Sequence, residues 1–576
     1  MDNNEIKIWC TNDGKRHIAT LGSTLSDISK KWCTRVKDEK TGKMYPVLAA
    51  LVDHKLKGLS YPVAVSHEVE FIGYNHADGR RTYIRSLCFV LQKVVREFYP
   101  DKILVIDHSL PSGLYCELKD KMPNDEGHHP VHFLTDDELD RIKVRMQEIV
   151  AADLPFMVKT MLAEDAIAIY EGQMQHHKAE LLRSLGKFTV HVYSLDGLDD
   201  TFYGPLVPST GMLTKFDITG FSQGFCMQLP SINDFDKVLP MTRQSKIAAT
   251  LKEYSDWCNI VGISGVGSLN KAILGGRATD IINIAESLHE RKYAGIADEI
   301  FRKRSQVKIV LIAGPSSSGK TSSSLRLALQ CKVLGLNPKV IELDNYFVDR
   351  DHTPRDENGE YDFESLHAMD LDLLNEQLNA LLRGEEVELP KFDFKAGRRV
   401  YDGHRMRLEE KDILIMEGIH ALNPEMTAAV DNTRIFRVYA SALTSLNLDE
   451  NNNISTSDNR LLRRIVRDNR VRGITPEDTI LRWHSVRRGE SRNIFPYQEN
   501  ADAVFNSALI FELPMLRYYA EPLLRRISPA SPAYTEAIRL LKFLGYIVAL
   551  QPSEIAAIPP TSIMREFIGG QTLSHR

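Results

Sequence analysis

Eight consecutive residues, Gly314-Pro-Ser-Ser-Ser-Gly319-Lys320-Thr321, follow the spacing G-x-x-x-x-G-K-[ST]. Each fixed type has a task in holding the phosphates of a nucleotide. The glycines let the backbone bend around an anion and turn its N–H groups inward, so the expected nucleotide contacts are Gly314, Ser316, Ser317, Ser318, Gly319 and Ser322. Lys320 reaches the β- and γ-phosphates, and the Thr321 hydroxyl can ligate Mg2+.

Two elements must position that loop. Residues 307–313 form an apolar, β-branched run too short for a surface helix, and Leu325, Leu327, Ala328 and Leu329 follow at helical spacing. Strand, loop and helix in that order place the phosphates at a helix N-terminus, where the macrodipole favours negative charge. Residues 339–343 read as the next strand of a parallel sheet, delivering Asp344 to its C-terminal end, where open α/β sheets bind ligands. A carboxylate there can orient an acceptor hydroxyl and take its proton during phosphoryl transfer, or it can simply cap a turn. From Asp458 to Arg492 the chain carries ten arginines against five acids. At spacings of three and four, Arg460, Arg463, Arg464 and Arg467 share one helical face that could clamp a triphosphate; without a nucleotide nearby, such a stripe reads as a solvated surface.

The length of 576 residues is too great for one core and implies about three or four domains. A net charge of -5, from 72 basic and 77 acidic residues, gives no general nucleic-acid or membrane signature. Seven cysteines without a C-x-x-C pair point to reduced thiols. The N-terminus is acidic and lacks an apolar leader core, and no apolar run approaches bilayer length, so a soluble, cytoplasmic protein is expected.

The expected class is multidomain, mixing α/β and α+β. Residues 1–75 read as a small β-grasp module, with strands over 5–9, 47–52 and 68–72 and a helix starting after Thr24. The segment LAALVDHKLKGLSYPVAVSHEVEFI resembles the TGS domain, the ubiquitin-like module of threonyl-tRNA synthetases and some regulatory GTPases. Residues 76–235 read as α+β, with a helix near 85–98, a strand over 103–106 and a helix over 135–151. Through FYPDKILVIDHSLPSGLYCELK and DDTFYGPLVPSTGMLTKFDITGF this region resembles the second N-terminal domain of threonyl-tRNA synthetase, where misacylated tRNA is edited. That family uses two histidines on the first helix and a Cys and a His in the later loop. Here the helix reads RRTYIRSLCFVLQ, and Phe202 and Leu206 stand in the loop. Neither can position a water or bind a metal, so the domain is expected to keep the fold without the editing chemistry. His128, His129, His132, His176 and His177 read as solvated loop residues. Residues 236–304 read as a helical connector whose Gly-rich stretch IVGISGVGSLN is a turn between helices.

Downstream of the phosphate loop come YDFESLHAMDLDLL, LPKFDFKAGRR, DILIMEGIHAL and FPYQENADAVF, and the pattern D-x-R-L-x-R-R-x-x-R-D-x-x-x-R-G runs from Asp458 to Gly473. This order resembles the uridine kinase branch of the phosphoribulokinase/uridine kinase family over about 220 residues, within a P-loop domain set at 305–527. The resemblance implies ATP and Mg2+ as cofactors, Asp344 as the carboxylate facing the acceptor's 5'-hydroxyl, and Glu417 as the acid holding Mg2+ with Thr321. It also implies Lys320, Arg464 and Arg467 as catalytic partners of Asp344, with Arg463 and Arg472 on the donor. Glu364 stands where the family binds ribose hydroxyls and Phe392 where it stacks the base; Arg398 and Arg460 complete the expected acceptor set. A family histidine that reads the pyrimidine edge falls about at Gly397, which cannot make that hydrogen bond and leaves the acceptor open beyond uridine and cytidine. Residues 528–576 hold a helix over 533–544 and resemble nothing catalytic; they are expected to pack on the kinase domain or in an oligomer contact, and a homo-oligomer is expected.

Two functions follow. One is a Mg-ATP-dependent kinase acting on a nucleoside or another small hydroxyl metabolite. The other is a regulatory or RNA-associated ATP-binding protein whose N-terminal modules meet tRNA or a ribosomal partner. The retained Asp344, which a switch does not need, favours the first.

Overall fold

The computed structural model describes residues 4–39, 41–122, 124, 129–242, 244–355, 359, 361–393 and 396–574. The N-terminal stretch forms β1 (Glu5–Cys10), β2 (Lys15–Thr20), α1 (Leu25–Trp32), a ribbon of β3 (Arg35–Lys37) and β4 (Met44–Pro46), β5 (Ala49–Val52), β6 (Lys55–Lys57) and β7 (His67–Ile72). The main sheet has the order β2-β1-β7-β5-β6, with β1 and β7 parallel. A capping box starts α1: the Asp27 amide donates to the Thr24 hydroxyl at 3.2 Å and the Thr24 amide to the Asp27 carboxylate at 3.3 Å. Leu25 and Ile28 thereby face Val69 and Phe71 in one apolar cluster.

Next come α2 (Ala77–Phe98), β8 (Lys102–Leu110), β9 (Gly113–Asp120), β10 (Val131–His132), α3 (Asp136–Ala151), β11 (Met157–Leu162), α4 (Ala163–Gly172) and α5 (His176–Leu185). They are followed by β12 (Thr189–Leu195), β13 (Leu198–Asp200), β14 (Asp217–Phe221) and β15 (Gly224–Gln228). One sheet runs β10-β9-β15-β14 with β8 also on β9, and a smaller one runs β11-β12-β13. The helix expected near 85–98 starts eight residues earlier. His76 caps its N-terminus, accepting from the Asp78 amide at 3.2 Å, and the Thr82 and Ser86 hydroxyls donate to carbonyls four residues back, at 2.9 and 2.8 Å.

The connector is α6 (Ser245–Val261), α7 (Val266–Leu274) and α8 (Ala278–Arg302). Only the first part of its Gly-rich stretch is a turn. Gly262 closes α6 at φ +78, but Gly267 lies inside α7, where a Cβ would come within 2.5 Å of the Leu181 amide of α5.

Beyond it lie β16 (Ile309–Ala313), α9 (Lys320–Val333), β17 (Asn337–Glu342), α10 (Leu371–Leu382), β18 (Val387–Glu388), β19 (Lys391–Asp393), β20 (Arg398–Val400), β21 (Arg405–Met406) and β22 (Asp412–Glu417). The chain continues through β23 (Ile435–Ser441), β24 (Asn447–Asp449), β25 (Asn452–Asn453), α11 (Thr456–Arg467), α12 (Pro476–Asn493), β26 (Ala503–Asn506) and α13 (Glu512–Leu524). A five-stranded parallel sheet has the order β17-β22-β16-β23-β26. The strand before the phosphate loop is thus central, and all five of its residues are buried. Short helices α14 (Tyr534–Leu544), α15 (Pro552–Ala556) and α16 (Met564–Ile568) end the fold. They are not peripheral: Leu540, Leu544, Ile563 and Phe567 share a core cluster with Val310 and Ile312 of β16. No helix among the described residues is long and apolar enough to cross a membrane.

Candidate active site

The loop between β16 and α9 is fixed by sterics. A Cβ on Gly314 would lie 1.9 Å from the Ala440 carbonyl oxygen of β23, so only glycine lets the chain leave the sheet there. Ser317 and Gly319 both take the left-handed conformation, at φ +59 and +82. For Ser317 that costs about 1–2 kcal/mol, strain of the kind that gathers at functional loops. Lys320 opens α9, its ammonium donating to the Pro315 carbonyl at 3.4 Å across the loop.

Neighbouring strand ends bring up the acids. Glu417 ends β22, in register with Ile312 of β16 and Glu342 of β17, and Asp344 lies two residues past β17. The Thr321 hydroxyl donates to Glu417 at 2.5 Å. Burial pushes the Glu417 carboxyl up to about 7, Lys320 opposing and Asp344 reinforcing the shift. Glu364 also rises to about 7, through burial and then the charge of Glu490, against Arg464 and Lys320. Asp344 is raised too, again chiefly by burial. Buried carboxylates whose charged forms are disfavoured in this way fit a site that takes a cation. Among the described residues no three His, Cys, Asp or Glu are grouped to hold a metal. Thr321 and Glu417 would therefore supply the protein ligands, which is how Mg2+ is commonly held beside substrate phosphates.

The expected arginine face divides in two. Arg464 donates to the Ser316 hydroxyl at 2.8 Å, and Arg464, Arg467 and Arg472 all pair with buried Asp468, at 3.2, 2.8 and 3.6 Å. Arg460 and Arg463 point inward instead, 2 % and 0 % exposed. Arg460 is held by Glu490 and donates to the Ser316 carbonyl at 3.0 Å; Arg463 is held by Glu512 and reaches the Ser317 carbonyl at 3.4 Å. Of the arginines expected at the acceptor and the donor, Arg460 and Arg463 thus reach the underside of the loop, each paired with an acid. Their charges are spent beneath the loop because Leu461, Leu462, Ile465 and Val466 turn that side of α11 into the core.

On the acceptor side, Glu364 lies against Gly489 of α12, where a Cβ would come within 2.6 Å of its own Cβ. Phe392 is buried in β19, edge-on to Phe347 at 5.7 Å, while Arg398 is exposed on β20. Gly397 has φ +67, and a Cβ there would come within 2.8 Å of Arg350 Nε, so a side chain at this turn is strained. Phe394 and Lys395 of the same motif lie outside the described residues.

Sequence reading missed several neighbours. His420 is buried three residues past Glu417, its pKa pushed down to about 4 mainly by burial. Glu490, Glu512 and Asp468 bind the arginines; for Asp468 and Glu490 an acidic charge within the Arg-rich stretch was the available signal, while Glu512 lies beyond that stretch at the start of α13. From the C-terminal segment, Glu566 accepts from the Ser322 hydroxyl at 2.7 Å and Ile563 backs Gly319. Farther off, Phe202 and Leu206 are buried, Phe202 packing on Phe89 of α2 at 5.0 Å. His176 and His177 begin α5 and are not in a loop, and His129 meets the Asp120 carbonyl at 2.8 Å; His128 lies outside the described residues.

Residues 309–510, about a third of the chain, match the Phosphoribulokinase / Uridine kinase family. The N-terminal part is similar to threonine–tRNA ligases. That of Desulforamulus reducens is 27% identical over 221 residues, covering 38% of this chain and 32% of the ligase. That of Methylococcus capsulatus is 29% identical over 172 residues, covering 30% and 25%. The chain thus spans about a third or less of the length of these relatives. Among solved structures, a possible uridine kinase from Bacillus stearothermophilus aligns with TM-score 0.23 and 18% identity, covering 34% of this chain and 88% of that one. D-glycerate 3-kinase from Cryptococcus neoformans aligns with TM-score 0.25 and 15% identity, covering 37% and 89%.

Proposed function

We propose that the protein is an ATP-dependent kinase that transfers the γ-phosphoryl group to the 5'-hydroxyl of a nucleoside, uridine or cytidine first, or to a hydroxyl of another small metabolite. The observation that carries this reading is the meeting of Lys320, the Thr321–Glu417 hydrogen bond and Asp344 at the ends of adjacent parallel strands. A phosphate-binding switch has no need of the last.

Backbone amides of the loop other than that of Ser316, which Glu490 takes, would bind the donor's phosphates with Lys320, and Thr321 and Glu417 would hold Mg2+. When bound, Mg-ATP supplies the transferable group and the cation's charge neutralisation. Asp344 orients the acceptor oxygen and takes its proton, a task that its raised pKa assists. Arg464, Arg467 and Arg472, gathered by Asp468, form a cationic cover for the charge that spreads in transfer. Glu364 and Phe392 are assigned to the acceptor's hydroxyls and base, and Arg398 to its rim. A cytoplasmic homo-oligomer remains part of the proposal.

The N-terminal similarity to threonine–tRNA ligases favours a second reading, in which a TGS-like module over 1–75 and an editing-like domain over 76–235 meet RNA and the P-loop half acts as a switch. ADP release from Mg-ATP that depends on an added acceptor supports the kinase. Mg-ATP binding without any such dependence, joined to salt-sensitive tRNA binding, supports the switch.

A further inference from the structure

Residues 559–572, more than two hundred positions beyond the phosphate loop, lie along its flank. Ser322, in the first turn of α9, is fully buried there. Its hydroxyl donates to Glu566 Oε2 at 2.7 Å and accepts from Gln571 Nε2 at 2.9 Å, so its proton is committed to the carboxylate. A Cβ on Gly319 would meet Ile563 at 2.8 Å. The segment is also tied to the turn after α11: Arg470 donates to the carbonyls of Phe567 and Glu566 at 3.0 and 2.9 Å, and the Arg463 guanidinium lies 5.2 Å from the Phe567 ring. Arg472 is within electrostatic reach of Glu566.

The carboxylate therefore lies against the first turn of α9 and acts on the charge of Arg472, two positive features that a phosphate chain would use. A helix N-terminus favours any anion, and two anions at one end repel each other. Resting on the kinase reading, we propose that Glu566 is an internal anion of the donor site, which an incoming nucleoside triphosphate must displace or tolerate, so that the C-terminal segment sets donor affinity. The residue is not catalytic, because it acts on the donor's phosphates by competition at the helix end.

Glu566→Gln keeps an oxygen for the Ser322 hydroxyl and removes the charge. Mg-ATP binding to the full chain, measured calorimetrically without acceptor, should tighten roughly threefold to tenfold at low salt. The gain should shrink as salt rises from 50 to 300 mM, since screening weakens the repulsion. Glu566→Asp, which keeps the charge, should remain near wild type, and the acceptor KM should not move. Equal or weaker Mg-ATP binding by Glu566→Gln than by wild type overturns the proposal while leaving the kinase reading intact. Failure of both folded proteins to bind Mg-ATP overturns the two together. If Glu566→Gln does not fold, Glu566→Ala is held to the same outcomes.

Discussion

Arg460 and Glu490 between them take both backbone polar groups of Ser316. The guanidinium donates to its carbonyl at 3.0 Å, the carboxylate accepts from its amide at 2.9 Å, and the pair is itself bidentate at 2.5 and 2.8 Å. Helices α11 and α12 thus hold the third residue of the phosphate loop from beneath. Glu490→Gln leaves a buried guanidinium without its charge partner, which typically costs about 3–5 kcal/mol. The expected result is a lowered thermal transition in the full chain, largely restored by adding Arg460→Met. A change under about 1 kcal/mol would show that the pair is not structural.

Gly314→Ala places a methyl 1.9 Å from the Ala440 carbonyl oxygen, backbone on backbone in the sheet, where neither side can give way. Mg-ATP binding should weaken by more than about tenfold, or 1.4 kcal/mol, with little change in far-UV circular dichroism. Near-normal binding would mean that the loop leaves the sheet by another path.

The hairpin β24–β25 carries Asp449 from the phosphate-binding half into the N-terminal half, where it lies 4.0 Å from Lys178, itself bonded to Asp200, all three side chains fully buried. Lys178→Met removes the charge partner of Asp200 and the nearby cation of Asp449, and should destabilise the chain by about 3–5 kcal/mol. Asp449→Asn in the same chain should restore part of that loss. Thermal melts of the single and double variants decide it, and strict additivity would rule out the coupling.

His289 is buried on α8, its ring nitrogen 3.1 Å from the Ala508 carbonyl oxygen. Burial, aided by Arg326, pushes its pKa down to about 3. Since this lies below the ordinary value near 6.5, the unfolded chain takes up the proton first. Stability from this site is complete above pH 6.5 and falls with pH towards 3, at up to about 1.4 kcal/mol per pH unit. The melting-temperature gap between wild type and His289→Gln should therefore narrow from pH 7.5 to pH 5, and a pH-independent gap would contradict the assignment.

Local spacing made the phosphate loop, Asp344 and the helix start after Thr24 legible in the sequence, because each depends on residues within one turn or one strand end, whereas Glu417 came only through the family resemblance. The arginines were legible as a motif but not in their partners. Arg460 and Arg463 meet acids 30 and 49 positions away, and nothing in helical spacing tells a clamp from a strut. The C-terminal segment read as helical packing, yet Glu566 reaches Ser322 across 244 positions. Such a contact is set by tertiary packing of Ile563 and Phe567 and not by local pattern. The early start of α2 was hidden because its cap is the imidazole of His76, outside the usual Ser, Thr, Asp and Asn set.

The most direct test of the kinase account is ADP release from Mg-ATP over a panel of nucleosides and small polyols, with Asp344→Asn beside the wild type. The account predicts release that depends on one acceptor class and falls by about a hundredfold or more in the variant, the scale of a lost general base, while Mg-ATP binding persists. Equal release from every mixture, unchanged by Asp344→Asn, would contradict it.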